Sequence, residues 1–121
     1  MIEEKVKWRV EEVSKIVSAL RKKTCGKEPD RIETKLIENM AVVSMTGVLT
    51  PVEKFICQTE QGKRTVRDAR TELIKRQYQE EHPVHLEEVV GANFVELFTD
   101  INIEKDWALT VFVFDRPIDG K

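Results

Sequence analysis

Thr50-Pro51-Val52-Glu53 sets the frame of this chain. A threonine followed by proline, with a glutamate three residues after the threonine, is the pattern of a helix start. The Thr50 hydroxyl accepts from an N–H of the first turn, and Pro51 loses nothing at a position whose N–H has no helical partner. Glu53 reaches back to the Thr50 N–H and completes a capping box. Helix initiation accounts for these residues, and no catalytic role is assigned to them. The helix is predicted to run to about Tyr78 and to bend at Gly62, where glycine costs roughly 1 kcal/mol relative to alanine. Its apolar stripe passes through Val52, Phe55, Thr59, Gly62, Val66, Ala69 and Leu73.

Downstream, Pro83 breaks the helical pattern, and a short segment over Val84–Val90 ends at Gly91. Residues 94–101 and Trp107–Phe114 then read as two strands joined across residues 102–106. Upstream, Met40–Thr46 is rich in β-formers, residues 31–38 alternate loosely, and Glu38-Asn39 between them suits a tight turn. Residues 2–24 carry Ile2, Val6, Val10, Val13, Val17 and Leu20 at spacings of three and four, an amphipathic helix. Glu3 and Glu4 sit at its start and Arg21, Lys22 and Lys23 at its end, as the helix dipole favours. Gly26 and Pro29 close it. The expected fold class is α+β: a four-stranded, mainly antiparallel sheet from two hairpins flanking a long helix, with an additional N-terminal helix.

Length and composition bound the rest. One domain over residues 1–121 is expected for a chain of this size. With 20 basic and 22 acidic side chains and a net charge of −2, no broad basic surface for nucleic acid is indicated. The longest strongly apolar run, residues 111–114, falls far short of the ~18 residues of a spanning helix. The N-terminus lacks the cationic-then-apolar pattern of a secretion signal, so a cytoplasmic protein without direct membrane insertion is expected. Cys25 and Cys57 form no metal or disulfide motif and read as free thiols. His82 and His85 give a weak zinc signal, and neither a nucleophile constellation nor a phosphate loop occurs. No metal, cofactor or catalytic residue is assigned, and the reading is non-enzymatic.

From Gly47 onward the chain resembles the MpsC-like family, named for the C component of a bacterial membrane-potential-generating system. The resemblance rests on Gly47-Val48-Leu49-Thr50-Pro51, Glu53, Thr59-Glu60-Gln61-Gly62-Lys63 and Val66-Arg67-Asp68-Ala69-Arg70. It continues through Glu72-Leu73, Gly91, Thr99-Asp100 and Val111-Phe112-Val113-Phe114. It implies a small bacterial protein, some of whose relatives are linked to a sodium- or bicarbonate-related transport system, and it brings no catalytic residues.

Two constellations stand out. Arg70 lies within the apolar stripe of the long helix. There it either snorkels outward or needs a buried carboxylate, with Asp100 the first candidate partner and Glu96 the second. Arg67, Arg70 and Asp100 are accordingly the candidate ion-pair or small-anion site. The fourth strand is apolar on both faces, with Leu109, Val111 and Val113 on one and Phe112 and Phe114 on the other. Either the N-terminal helix covers the Phe112/Phe114 face or a second subunit does, which makes these rings the candidate interface of a homodimer. An accessory interaction domain of a membrane transport system is the leading reading, and a small-anion or small-ligand sensor is the alternative.

Overall fold

The computed structural model describes residues 2–120. The elements follow in the order α1 (Ile2–Cys25), β1 (Arg31–Ile37), β2 (Met40–Thr46), α2 (Pro51–Ile56), α3 (Glu60–Glu80), α4 (Val84–Val90), β3 (Phe94–Asn102) and β4 (Trp107–Phe114). The strands form one sheet in the order β1-β2-β4-β3, with every neighbouring pair antiparallel. The α+β class and the two hairpins follow the sequence reading. Glu38, at φ 54°, turns the first hairpin.

The helix opened by Thr50 is shorter than its sequence suggests. It ends at Ile56, and a second helix starts at Glu60 with its own cap, the Thr59 hydroxyl accepting from Gly62 N at 2.9 Å. The interruption therefore falls before Gly62 rather than at it. It also resets the helical phase, so the buried row of α3 is Gly62, Val66, Arg70, Ile74 and Tyr78. Ala69 and Leu73 point outward, as do Val52 and Phe55 on α2, which buries none of its residues.

Burial alternates along each strand and assigns the two sheet faces. Thr34 on β1, Ala41, Val43 and Met45 on β2, Leu97 and Ile101 on β3, and Ala108, Thr110, Phe112 and Phe114 on β4 are buried. Both long helices lie over this face. Val13, Val17 and Arg21 descend from α1, the Ser14 hydroxyl bonds Thr34 at 2.8 Å, and Tyr78 of α3 meets Phe112 edge-on at 5.2 Å. Phe94 joins the same cluster, 6.2 Å from Phe112 and 6.4 Å from Phe114.

The division of the fourth strand into two faces holds. Of the two expected covers for the Phe112/Phe114 face the one within the chain is found, so the interface assigned to these rings is corrected. Phe112 and Phe114 are 0% and 1% exposed and form the core of the single chain, so these rings cannot meet a second subunit without unfolding the first. Neighbouring Leu109, Val111 and Val113 lie on the opposite face, which no helix among the described residues packs over. Register carries this face across all four strands. Lys35, Val42, Val111 and Phe98 form one row, and Glu33, Ser44, Leu109 and Asp100 the next.

Candidate functional site

Arg70 is buried, as its place on the α3 row requires, but its partner is the capping-box glutamate rather than Asp100 or Glu96. Arg70 Nε donates to Glu53 Oε2 at 2.6 Å, Nη2 donates to Glu53 Oε1 at 2.8 Å, and Nη2 also donates to the Val48 carbonyl at 2.7 Å. Glu53 Oε1 accepts from Thr50 N at 2.9 Å as well. One carboxylate thus caps α2 and neutralises a cation from α3. Burial raises the Glu53 carboxyl, but hydrogen bonds from Arg70 and the Thr50 backbone outweigh it and hold the group below its ordinary range. Arg70 remains a cation: burial opposes its charge, and the hydrogen bonds to Glu53 overcome that.

The loop ahead of α2 is fixed in the same manner. Asp106, at φ 48°, accepts from Val48 N at 2.8 Å and Leu49 N at 2.9 Å through Oδ1. This draws the β3–β4 turn onto the Gly47–Thr50 connection and sets the height at which Glu53 meets Arg70.

Arg67 and Asp100 belong to a different surface. They pair at 3.8 Å with both side chains more than half exposed, at a cleft of about 450 Å3 that Lys63, Arg64 and Trp107 also line. Lys63 there meets Glu60 at 3.1 Å and Glu104 at 3.2 Å, so acids offset the basic helix face. The three residues of the candidate site are therefore divided, Arg70 inside on Glu53 and Arg67 with Asp100 outside. His82 bonds Glu87 Oε1 at 2.9 Å, His85 lies 3.7 Å from Glu88, and no metal-like group of three or more His, Cys, Asp or Glu side chains occurs among the described residues.

Sequence reasoning missed two features. Arg21 completes the buried Val13-Val17-Arg21 row of α1, an i, i+4, i+8 spacing that its place in a basic helix end concealed. The uncovered sheet face is the other. Ile37, Phe98, Trp107 and Leu109 on it are 40–60% exposed, and Val42, Val111 and Val113 lie half-buried between them.

These features define a two-layer α+β domain with helices on one face of its sheet and an apolar opposite face. The chain belongs to the family described as the Na+-translocating membrane potential-generating system (MpsC), whose model matches residues 6–116. It is 46% identical over 111 residues to the uncharacterized protein YrhF of Bacillus subtilis (strain 168), covering 92% of this chain and 91% of that one. It is 28% identical over 64 residues to the uncharacterized protein YbcI of the same organism, about half of each chain. No solved structure matches it. Among the described residues no helix is long and apolar enough to cross a membrane.

Proposed function

We propose that this chain is a non-catalytic interaction domain that pairs with a second copy of itself through the uncovered sheet face. In this reading it serves, on the cytoplasmic side, as an accessory to a Na+-linked membrane system of the kind its family is named for. The observation that carries the reading is the apolar face of Val42, Phe98, Leu109, Val111 and Val113. A contiguous apolar patch of this kind marks an interaction surface.

Area and the register of the apolar rows favour a second copy as its occupant. Four strands about 4.8 Å apart and seven residues at about 3.3 Å give roughly 450 Å2 of projected face per chain. Two such faces, with the larger accessible area of their side chains, bury about 1,000 Å2, the lower bound of a specific interface. On this face the β1 edge carries Arg31, Glu33 and Lys35, and the β3 edge carries Glu96 and Asp100. A two-fold axis parallel to the strands sets each β1 edge over the other copy's β3 edge. Lys35 then lies over the Phe98 row between the second copy's Glu96 and Asp100, while Glu33 lies over Asp100 itself, so the edge charges offset one another and the apolar rows between them carry the contact.

Sedimentation at micromolar concentration tests the pairing. About 28 kDa is expected, twice the 14.1 kDa of one chain, and Phe98→Glu should give a folded monomer. A wild-type monomer at high concentration overturns the pairing. The accessory role is tested in the native cell. Deleting the gene should remove a Na+-dependent part of the membrane potential that the wild-type gene restores, and an unchanged potential overturns that assignment.

A further inference from the structure

The outer strands β1 and β3 leave two edges to the sheet, and the edges differ. Bonds just beyond the strand ends fix which backbone groups point outward. Gly47 N donates to Asp106 O at 3.0 Å and Phe114 N to Asn39 O at 2.8 Å, so odd-numbered residues of β2 turn their backbone toward β4. Met40, Val42, Ser44 and Thr46 then turn theirs to Ile37, Lys35, Glu33 and Arg31 of β1. Ile32, Thr34 and Leu36 are left with N–H and C=O groups pointing out of the sheet.

On the far edge Asp115 N donates to Asn93 O at 2.9 Å, and the same alternation turns Leu97, Thr99 and Ile101 outward. That edge is guarded. Glu96 Oε1 accepts from Leu97 N at 2.9 Å, Asp100 Oδ1 accepts from Ile101 N at 2.8 Å, and a register shift between Phe94 and Glu96 distorts the strand. Charged side chains and bulges are how sheets keep an edge from pairing. On β1, no side chain among the described residues bonds the backbone of Ile32, Thr34 or Leu36. An edge left open in this way is a template for another strand.

The sequence of β1 makes it a template for itself. Set antiparallel with Thr34 opposite Thr34, the outward groups of Ile32 meet those of the second copy's Leu36, and each opposed pair exchanges both hydrogen bonds. Glu33 then stands opposite the second copy's Lys35, and Lys35 opposite its Glu33. Within one chain these two side chains are exposed and 3.8 Å apart, so pairing closes a square of alternating charge. The adjacent registers with matching hydrogen bonds set Lys35 against Lys35 or Glu33 against Glu33, and like charges directly opposite destabilise a strand pair. Above Thr34, α1 carries the small Ser14, whose hydroxyl bonds Thr34 at 2.8 Å, so the second copy's helix comes nearest at a short side chain.

We propose that the open edge of β1 pairs with β1 of a second copy about a two-fold axis at Thr34, joining two sheets into one. The contact does not rest on the pairing of the open faces, although Glu33 and Lys35 stand at the rim of that face. Its axis is normal to the sheet, whereas the axis of the face pair runs along the strands and does not meet it. Both contacts together therefore build an open row rather than a closed ring. The edge is narrower than a standard interface, so it fills at a chain concentration on the order of 1 mM, above that at which the faces pair.

Val111→Glu, which blocks the open face, isolates the edge. It is expected to sediment as one chain at micromolar concentration and near 1 mM as about 28 kDa, twice the 14.1 kDa of one chain. With about nine chains in ten paired, amide exchange at Ile32, Thr34 and Leu36 should slow about tenfold, and exchange at Thr99 should not. In that background Glu33→Lys should weaken the pairing about tenfold, and adding Lys35→Glu should restore it. Should Val111→Glu not fold, the same amides are followed in wild type from micromolar to millimolar concentration, and unchanged exchange overturns the proposal. So does a folded variant that stays one chain, protection at Thr99 in place of β1, or pairing indifferent to Glu33→Lys.

Discussion

The Glu53 carboxylate receives both prongs of the Arg70 guanidinium, at 2.6 and 2.8 Å, while closing the capping box on Thr50 N. Helix capping and charge neutralisation therefore share one side chain, and the short exposed helix α2 is anchored to α3 through it. Breaking a buried pair from one side costs roughly 3–5 kcal/mol, because the remaining charge stays desolvated. Arg70→Met, which keeps the apolar stem, is expected to lose that much in urea unfolding. Adding Glu53→Gln should recover part of the loss, since contacting partners are not additive. Adding Asp100→Asn instead should recover none, because Asp100 sits outside on Arg67.

Acid should find the same pair. The folded-state pKa of Glu53 lies below its ordinary 4.5, so as pH falls the unfolded chain takes up the proton first. Stability from the ionised carboxylate is fully present above about pH 5 and is lost as pH falls through the lower folded-state value. Urea midpoints between pH 7 and about 3 should therefore fall more steeply for wild type than for Glu53→Gln, which has no proton to take up. Parallel curves would show that Glu53 is not ionised by its pairing.

Gly62 offers a test in which the usual sign reverses. Alanine in a helix ordinarily gains about 1 kcal/mol over glycine. Here a Cβ on Gly62 would lie 1.6 Å from the Ile56 carbonyl oxygen, because the end of α2 folds back against the first turn of α3. The obstacle is backbone, which cannot rotate aside. Gly62→Ala is thus expected to destabilise the protein, and by more than that gain. A stabilised variant would mean that the two helices do not break at residues 57–59.

What the sequence disclosed follows from the range of the interactions involved. Thr50, Pro51 and Glu53 act within one helical turn, so their spacing alone identifies the cap. Glu38-Asn39 and Gly91 are equally local, and the elements on either side of them were legible. The Arg70–Glu53 pair spans a helix break, and Cys57-Gln58-Thr59 carries no proline to announce it. Read as one continuous helix, Glu53 and Arg70 have no reason to meet, and a strand acid looks the better partner. On β4 alternation was plain, but the choice of buried face was not, because both sets of residues are apolar. The neighbouring strands break the tie. Leu97 pairs with Phe112, whereas Glu96 pairs with Val113, so the charged residues of β3 mark the outer face.

That division yields the sharpest contrast in the molecule, between two consecutive residues of β4. Phe112 is wholly enclosed by Tyr78 and Phe94, and truncating a buried phenylalanine to alanine removes about 3–5 kcal/mol through lost burial and the cavity left behind. Val111 lies one residue away in the Val42–Phe98 row of the open face. Glutamate there adds a charge that water can still reach in the monomer, so the fold should survive. Phe112→Glu, by contrast, forces a carboxylate among aromatic rings and should yield unfolded or insoluble protein. Circular dichroism with sedimentation separates the pair: Val111→Glu is expected to keep its helix signal and sediment as one chain, and Phe112→Glu to lose the signal. Were Val111→Glu to unfold as well, the outer face would be covered within the chain. Were it to stay dimeric, the second copy would sit elsewhere.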